Sequence, residues 1–319
     1  MGNESTYWGN KRIQLGYAEP FQINYVEVGN EDNLNGGDGS YSEYRFPMFY
    51  DAIHAAYPNI TVIGSTVDIF PTETDNNAAG DYHQYTRPDY FVGQFNYFDN
   101  FTADHPVLIG EYAVVQPNVA EGGGVNWNQS RSPFPFWIGS VSEAVFLIGI
   151  ERNADKVIGA SYAPTFQNLN SYQWVPDLIS YTADPSQDVL STSHHMIALL
   201  SGTRMTETLP APGEFDPVYW VAGRNNNTGS YILKAAVYNS TGDVPMTVNF
   251  PSGSSANLTI LTAPDGNSYN DIGSDIVSTN TTTITGNDGT FSFSLPNLSI
   301  AVLETISGGA SGYGRRWTA

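Results

Sequence analysis

Two hydrophobic periodicities divide the chain. In roughly the first 200 residues, short apolar runs alternate with longer amphipathic stretches, which is typical of βα units around a parallel sheet. From about residue 210, short segments of alternating polarity are separated by Gly, Asn and Asp, which is typical of an all-β sandwich. The sequence therefore predicts an α/β region followed by an all-β region.

The α/β region contains predicted strands and helices in alternation. The strands are residues 23–29, 61–67, 82–83, 107–110 and 157–162. The helices are residues 42–56, 90–98, 138–153 and roughly 190–200. Five strands cannot close an eight-stranded barrel, and an open sheet of this size would leave an exposed edge. We therefore expect this chain to be structurally incomplete.

The all-β region is predicted from short strands between turn residues. These strands are residues 231–238, 246–250, 258–262, 281–285 and 292–295. We expect domain boundaries that give an α/β domain over 1–203 and a jelly-roll-like sandwich over 204–307. The Gly/Ser-rich and then basic segment 308–319 has no periodicity, so it is predicted to be a disordered tail.

Charge and composition exclude several classes of partner and cofactor. The 32 acidic and 12 basic residues give a formal charge of −20, which would repel a phosphate backbone or an anionic lipid surface. The absence of cysteine excludes disulfides and thiolate catalysis. The histidines lack zinc-motif spacing, and no nucleotide-binding glycine motif occurs. We therefore predict no nucleic acid or membrane partner, no metal and no cofactor.

Glycosylation triplets indicate an extracellular protein. Nine Asn-X-Ser/Thr triplets begin at Asn3, Asn59, Asn100, Asn128, Asn226, Asn239, Asn257, Asn280 and Asn297. Such a density is expected of a secreted eukaryotic surface, although an Asn- and Thr-rich chain also produces triplets by chance. The residues after Met1 have no basic start and no apolar core. The prediction is a secreted protein whose signal peptide is absent from this chain, and the alternative is an intracellular one.

Two glutamates stand where apolar strands are predicted to end. Glu31 follows Tyr25-Val26-Glu27-Val28-Gly29-Asn30, and Glu111 follows Val107-Leu108-Ile109-Gly110. Carboxylates at the carboxyl ends of different barrel strands can face each other. Glycoside hydrolysis needs one protonated and one ionised carboxyl group, which retaining enzymes hold about 5 to 5.5 Å apart. Either residue alone is more often a loop acid or a helix cap.

His83 and Tyr85 lie between the two acids, in Asp81-Tyr82-His83-Gln84-Tyr85. An imidazole and a phenol at the end of a strand could orient a carboxylate and sugar hydroxyls by hydrogen bonds. Taken alone, His83 is more often a satisfied core histidine and Tyr85 a packing residue.

Several blocks make the chain resemble the fungal type of α-L-arabinofuranosidase of glycoside hydrolase family 51. The approach to the fourth barrel strand is similar over 7–12, 16–21 and 25–33. The blocks 82–85 and 108–113 are similar to strands six and seven of that family. The resemblance covers about residues 6–306 and implies strands 4 to 8 of a (β/α)₈ TIM barrel followed by a C-terminal β-sandwich. It also implies that strands one to three are missing.

The resemblance implies roles for individual residues. Glu31 would be the general acid/base and Glu111 the nucleophile. Asn30 would bind the sugar 2-hydroxyl, Tyr85 would orient Glu111, and His83 would bind nearby. The blocks 162–164 and 174–179 are similar to strand eight of that family and the loop that follows it, and Gln167, Asn168 and Trp174 are weaker subsite candidates there.

The resemblance implies a retaining hydrolase that needs no cofactor and releases terminal α-L-arabinofuranosyl residues from arabinoxylan or arabinan. Two alternatives remain open at this stage. One is another retaining (β/α)₈ hydrolase, such as an endoglucanase or a xylanase, because an acid pair does not identify the sugar. The other is a catalytically inactive truncated fragment, because a site built on one side alone loses orientation.

Overall fold

The structure is a computed structural model that describes residues 2–67, 78–102, 105–120, 122–210 and 213–306. The predicted tail 308–319 lies outside the described residues. The chain divides into two compact units. The first comprises Met1–Tyr82 and Ala103–Leu108, and the second comprises His83–Thr102 and Ile109–Ala319.

The regular elements are numbered in chain order. The α-helices are α1 (Tyr7–Gln14), α2 (Asp38–Ser40), α3 (Phe46–Ala56), α4 (Pro88–Gly93), α5 (Trp137–Arg152) and α6 (Thr192–Gly202). The strands of the α/β region are β1 (Tyr25–Val28), β2 (Thr61–Gly64), β3 (Ala78–Thr86), β4 (Val107–Val114), β5 (Val157–Tyr162), β6 (Phe166–Asn168), β7 (Ile179–Tyr181) and β8 (Val189–Leu190). The remaining strands are β9 (Glu207–Leu209), β10 (Val218–Asn225), β11 (Ser230–Val237), β12 (Val244–Asn249), β13 (Ser255–Thr262), β14 (Ser278–Thr285), β15 (Thr290–Leu295) and β16 (Ser299–Thr305).

The fold class predicted from the sequence is confirmed. A five-stranded sheet has the order β1-β2-β3-β4-β5 and belongs to part of a barrel. Antiparallel sheets follow it and form the C-terminal sandwich. The domain boundaries at 203 and 307 stay predictions.

In the first unit, β1 and β2 pair in parallel, with Val26 opposite Val62, and β2 pairs in parallel with β3. A π-helical turn, Tyr41–Arg45, leads directly into α3. Tyr41, Phe46 and Tyr50 from this helical stretch are buried against Val62. The helix α3 and the turn before it therefore cover one face of β1 and β2, and Glu31 lies in the turn that follows β1.

In the second unit, a six-stranded antiparallel sheet has the order β14-β13-β16-β11-β10-β9. Leu233 and Val237 face a core shared with the two-stranded sheet β12-β15, and Ile232 and Ala236 face a core shared with α5 and α6. Successive side chains of a strand point to opposite faces. Because both faces are covered, β11 and β16 are buried along almost their whole length.

Several element boundaries differ from the predicted ones. β3 begins at Ala78, because Ala78, Ala79 and Gly80 pair in the sheet although their β propensity is low. Leu190 belongs to β8 and not to a helix, since Ser191 caps α6 by accepting a hydrogen bond from His194 N (3.1 Å). The small sheet β6-β7-β8 and the strands β9, β10 and β16 were not predicted. Among the described residues, no helix is both long and apolar enough to cross a membrane.

Candidate active site

Glu111 lies inside β4, not after it, which corrects the predicted end of this strand at residue 110. The strand continues through Val114 because Tyr112, Ala113 and Val114 are all buried. His83 and Tyr85 likewise lie inside β3 and not at its end. Since they are two residues apart, their side chains leave the same face of that strand.

The carboxylate of Glu111 is held by both β3 side chains. Tyr85 donates a hydrogen bond from its hydroxyl to Glu111 Oε2 (2.5 Å). His83 Nδ1 lies 3.4 Å from the same oxygen. The side chain of Glu111 is 28% exposed and that of His83 is 13% exposed. The site therefore presents an oriented carboxylate that solvent or a ligand can still reach.

Trp174 joins this arrangement through aromatic contacts. Its ring centroid lies 5.0 Å from that of Tyr85, and the Arg131 guanidinium lies 4.0 Å above the indole. Arg131 also donates from Nε to the carbonyl of Val175 (2.9 Å). An arginine over an indole face is attracted by the ring quadrupole, so Arg131 fixes the plane of Trp174.

Two buried acceptors lie in the strand-and-loop segment around Trp174. Gln167 is 3% exposed, and its Oε1 accepts a hydrogen bond from Ser180 Oγ (3.0 Å) between β6 and β7. Asp177 is 2% exposed, and its Oδ2 has no hydrogen-bond partner among the described residues. Burial raises the pKa of Asp177 to about 7, although the positive charge of Arg131 acts to lower it.

A second buried acid supports the carboxyl end of β4. Glu143 of α5 is 1% exposed and accepts hydrogen bonds from Val114 N (2.8 Å) and Ser193 Oγ (2.5 Å). Burial raises the pKa of Glu143 to about 7, although both hydrogen bonds act to lower it. Burial likewise raises the pKa of Tyr112 well above its usual value, and the charge of Glu143 adds to this shift. Glu143 therefore links the strand that carries Glu111 to two helices.

The first unit positions Asn30 and Glu31 in the turn after β1. Glu31 has φ of +49°, a left-handed backbone that costs a non-glycine residue roughly 1 kcal/mol. Asp32 holds this turn: its Oδ2 accepts hydrogen bonds from Asn30 N (3.0 Å) and Ser65 Oγ (2.9 Å). Its other oxygen pairs with Arg45. Burial raises the pKa of Asp32, but the bonds from Arg45 and Ser65 outweigh burial and leave the pKa below its usual value.

Family and structure comparisons place the chain among known proteins. Residues 1–103 match the family described as "Alpha-L-arabinofuranosidase 1 domain" and residues 110–299 match the "Alpha-L-arabinofuranosidase C-terminal domain". The chain is 42% identical over 308 residues to a probable α-L-arabinofuranosidase A of Aspergillus niger. It is 43% identical over the same length to α-L-arabinofuranosidase A of Aspergillus kawachii. Each alignment covers 95% of this chain and 46% of the relative.

The chain belongs to the α-L-arabinofuranosidase family. The arabinose-bound structure of MgGH51 α-L-arabinofuranosidase, a glycoside hydrolase family 51 protein, is similar with a TM-score of 0.81 and 31% identity, over 92% of this chain and 47% of that one. This arabinofuranosidase-family chain thus spans about half the length of the relatives it matches. A family 30 xylanase from Talaromyces cellulolyticus is similar with a TM-score of 0.56 and 16% identity, over 90% of this chain and 63% of that one, which shows the fold alone.

Sequence reasoning missed four side chains that hold candidate residues or their strands in place. Asp32 immediately follows the candidate acid, so its place in the same block was a usable signal. Arg45 pairs with Asp32, Arg131 packs on Trp174, and Glu143 accepts a hydrogen bond from Val114 N. No local pattern identifies such contacts, because they depend on the tertiary fold.

The protonation of Glu143 predicts a pH-dependent stability. The pKa is raised from 4.5 to about 7 on folding, so the folded state keeps a proton that the unfolded state releases. This stabilisation is complete below pH 4.5 and is lost as the pH rises to about 7, with a loss of up to about 3 kcal/mol. Between pH 4.5 and about 7, we expect the unfolding free energy of the unsubstituted protein (the parent) to fall relative to that of Glu143→Gln. Urea unfolding measures both.

The comparison with Glu143→Gln separates Glu143 from Asp177, whose raised pKa contributes equally to both proteins. A Glu214→Gln variant, at an exposed glutamate, is the matched control and should follow the parent. Parallel pH curves for the parent and Glu143→Gln would contradict the assignment.

Proposed function

We propose that the protein is a retaining glycoside hydrolase that releases terminal non-reducing α-L-arabinofuranosyl residues from arabinoxylan- or arabinan-type polysaccharides. The observation that carries the proposal is the Glu111 carboxylate, held on β4 by Tyr85 and His83 in a chain of the α-L-arabinofuranosidase family. Glu111 is assigned as the nucleophile and Glu31 as the general acid/base. The names of the fungal relatives support the choice of sugar.

The proposed reaction has two steps. In the first, Glu31 donates its proton to the glycosidic oxygen as the bond to the anomeric carbon breaks, and Glu111 attacks that carbon to form an arabinosyl ester. In the second, Glu31 removes a proton from water, which attacks the same carbon and releases Glu111. Tyr85 and His83 both contact Oε2 of Glu111, so we assign Oε1 to the attack.

The hydrogen bond from Tyr85 has a defined purpose in this mechanism. It restricts rotation of the carboxylate, so that the attacking oxygen is oriented before substrate arrives. Asn30 is proposed to bind the 2-hydroxyl of the sugar. Gln167 and Trp174 are proposed to contact the substrate from β6 and the following loop.

A xylanase or endoglucanase is the alternative within the same chemistry. The family 30 xylanase likeness concerns the fold alone, and the fungal relatives favour the arabinofuranosidase. We expect 4-nitrophenyl α-L-arabinofuranoside to be cleaved at least 100-fold faster, in kcat/KM, than the β-xyloside or the β-glucoside, since a pocket shaped for a furanose mispositions a pyranose. A preference for either β-pyranoside would overturn the choice of sugar.

An inert fragment, in which only the sandwich folds, is the alternative outside catalysis. The packing of α5 and α6 disfavours the inert fragment, because both helices share one core with the six-stranded sheet. A sandwich that folded alone would expose that apolar face to water. Limited proteolysis that left only residues from about 205 onward would favour the inert fragment.

We also propose that the protein is secreted and glycosylated and takes part in the breakdown of arabinose-containing cell-wall polysaccharides. The nine Asn-X-Ser/Thr triplets support this location. The formal charge of −20 is compatible with a neutral polysaccharide substrate.

Azide rescue tests the roles of the two glutamates. We expect Glu111→Ala to lower turnover of an activated arabinofuranoside by on the order of 10⁴-fold or more, because the covalent route is lost. Azide should then attack from the vacated side and give the β-L-arabinofuranosyl azide. In Glu31→Ala, azide should instead attack the ester intermediate and give the α-L-arabinofuranosyl azide. Product configuration is read by NMR.

The two azides make the assignments separable. Parent-like turnover by Glu111→Ala would end the nucleophile assignment, and the reverse pairing of azide configurations would exchange the two roles. Glu214→Gln, at an exposed glutamate, is the control for an acid outside the site.

A Tyr85→Phe substitution tests the orientation of Glu111. It removes the hydroxyl that donates to Oε2 and keeps the ring that contacts Trp174. A hydrogen bond to a charged group contributes about 1.5 to 3 kcal/mol, so we expect kcat/KM to fall by about 10- to 100-fold. Tyr172→Phe, at an exposed tyrosine, should leave kcat/KM unchanged. Equal values for Tyr85→Phe and the parent would remove Tyr85 from the mechanism.

A further inference from the structure

The connection between β4 and α5 carries an exposed tryptophan at a fixed position. Trp127 is 56% exposed, although it lies within a chain segment held by buried polar groups. Exposure of a single aromatic side chain is ordinary. What distinguishes Trp127 is the combination of exposure, anchoring and its neighbours.

Gln116 anchors the segment around Trp127 by hydrogen bonds. It is 2% exposed and pairs with the backbone of Asn126 in both directions, accepting from Asn126 N (3.0 Å) and donating to Asn126 O (2.9 Å). Asn126 O also accepts from Gln129 N (2.9 Å). The turn that includes Trp127 is therefore fixed on both sides of the tryptophan.

Arg87 completes the anchor. It is 5% exposed and donates to Gln116 Oε1 (2.7 Å), to Gly124 O (3.0 Å) and to Pro117 O. A buried guanidinium needs several acceptors to offset its desolvation, and here the acceptors belong to the segment itself. The hydrogen bonds that offset the desolvation of Arg87 therefore also hold the segment in place.

Trp127 extends an aromatic row that begins at the candidate nucleophile. Tyr85 is hydrogen-bonded to Glu111, Trp174 lies 5.0 Å from Tyr85, and Trp127 lies 5.9 Å from Trp174 between ring centroids. Trp174 is partly buried and Trp127 is exposed. The row thus leads from Glu111 outward to the solvent.

We propose that Trp127 and Trp174 form an aromatic platform for the part of the substrate beyond the arabinofuranosyl group, and that its ligand is a neutral β-1,4-linked pyranose chain of the xylan type. This inference rests on the proposed function. A pyranose ring with equatorial substituents has a flat face of C–H groups, which packs on an indole while its hydroxyls stay hydrated. A furanose ring offers a smaller and less flat face. A tryptophan in a turn that is already held by hydrogen bonds loses less backbone freedom on binding.

The test compares substrates with and without a pyranose chain. The variants are Trp127→Ala and Trp127→Phe, and the substrates are methyl α-L-arabinofuranoside and an arabinofuranosyl-substituted xylotetraose. We expect Trp127→Ala to lose about tenfold more kcat/KM on the xylotetraose derivative than on the methyl glycoside, mainly through KM. Trp127→Phe should recover part of the difference.

Tyr269→Ala is the matched control. Tyr269 is exposed and stacks on Phe134 in the same β4–α5 connection (6.0 Å between centroids), but it lies outside the aromatic row. It should leave both rates unchanged. Equal losses on both substrates for Trp127→Ala, or no loss on either, would overturn the platform. An equal loss on α-1,5-linked arabinotriose would overturn the choice of a pyranose chain.

A binding measurement separates this inference from the proposed function. Unbranched xylotetraose is titrated into Glu111→Gln and into Glu111→Gln combined with Trp127→Ala, by calorimetry. About tenfold weaker binding by the double variant would support the platform even if the parent hydrolysed no arabinofuranoside, and the proposed function alone would then fail. Equal affinities in an arabinofuranosidase that is active would overturn the platform alone.

Discussion

The burial of α5 on every side is the constraint on which the second unit depends. None of its residues is exposed, and Trp137 donates from Nε1 to the carbonyl of Leu298 in the sandwich (2.7 Å). A helix that is apolar all round must be covered all round. The barrel strands and the six-stranded sheet supply opposite sides of that cover. The sandwich therefore completes the core around α5 and does not pack separately from it.

This packing gives two acids of α5 a structural role. Glu143 satisfies the backbone N–H of Val114, and Lys234 of the sandwich, 3% exposed, reaches Glu151 of α5 (2.7 Å). Losing either acid would leave a buried donor, the N–H of Val114 or the ammonium of Lys234, without that acceptor, which costs more than the pair contributes. The two acids thus fix how α5 sits between the end of β4 and β11. That position in turn determines where β4 places Glu111.

Sequence patterns predicted the parts of this molecule that depend on local periodicity. The fold class, β5 and the position of α5 followed from apolar spacing. The role of Tyr85 stays a prediction, and its hydroxyl donates a hydrogen bond to Glu111. The ends of β3 and β4 were wrong, because small residues hid the start of one strand and an acid suggested the end of the other. Glu143, Gln116 and Arg131 were missed because their partners are distant in sequence. Only a tertiary structure brings such pairs together.

The negative charge of the protein and the aromatic row of Tyr85, Trp174 and Trp127 both favour recognition of a neutral ligand by stacking. With a formal charge of −20, the surface would repel anionic glycans, and stacking does not require a ligand charge. Arg131, the cation described beside the row, already packs on Trp174 and binds the carbonyl of Val175. It is therefore committed to holding the indole in place. For the proposed pyranose chain, affinity would then come from ring faces and hydroxyl contacts, which select by shape.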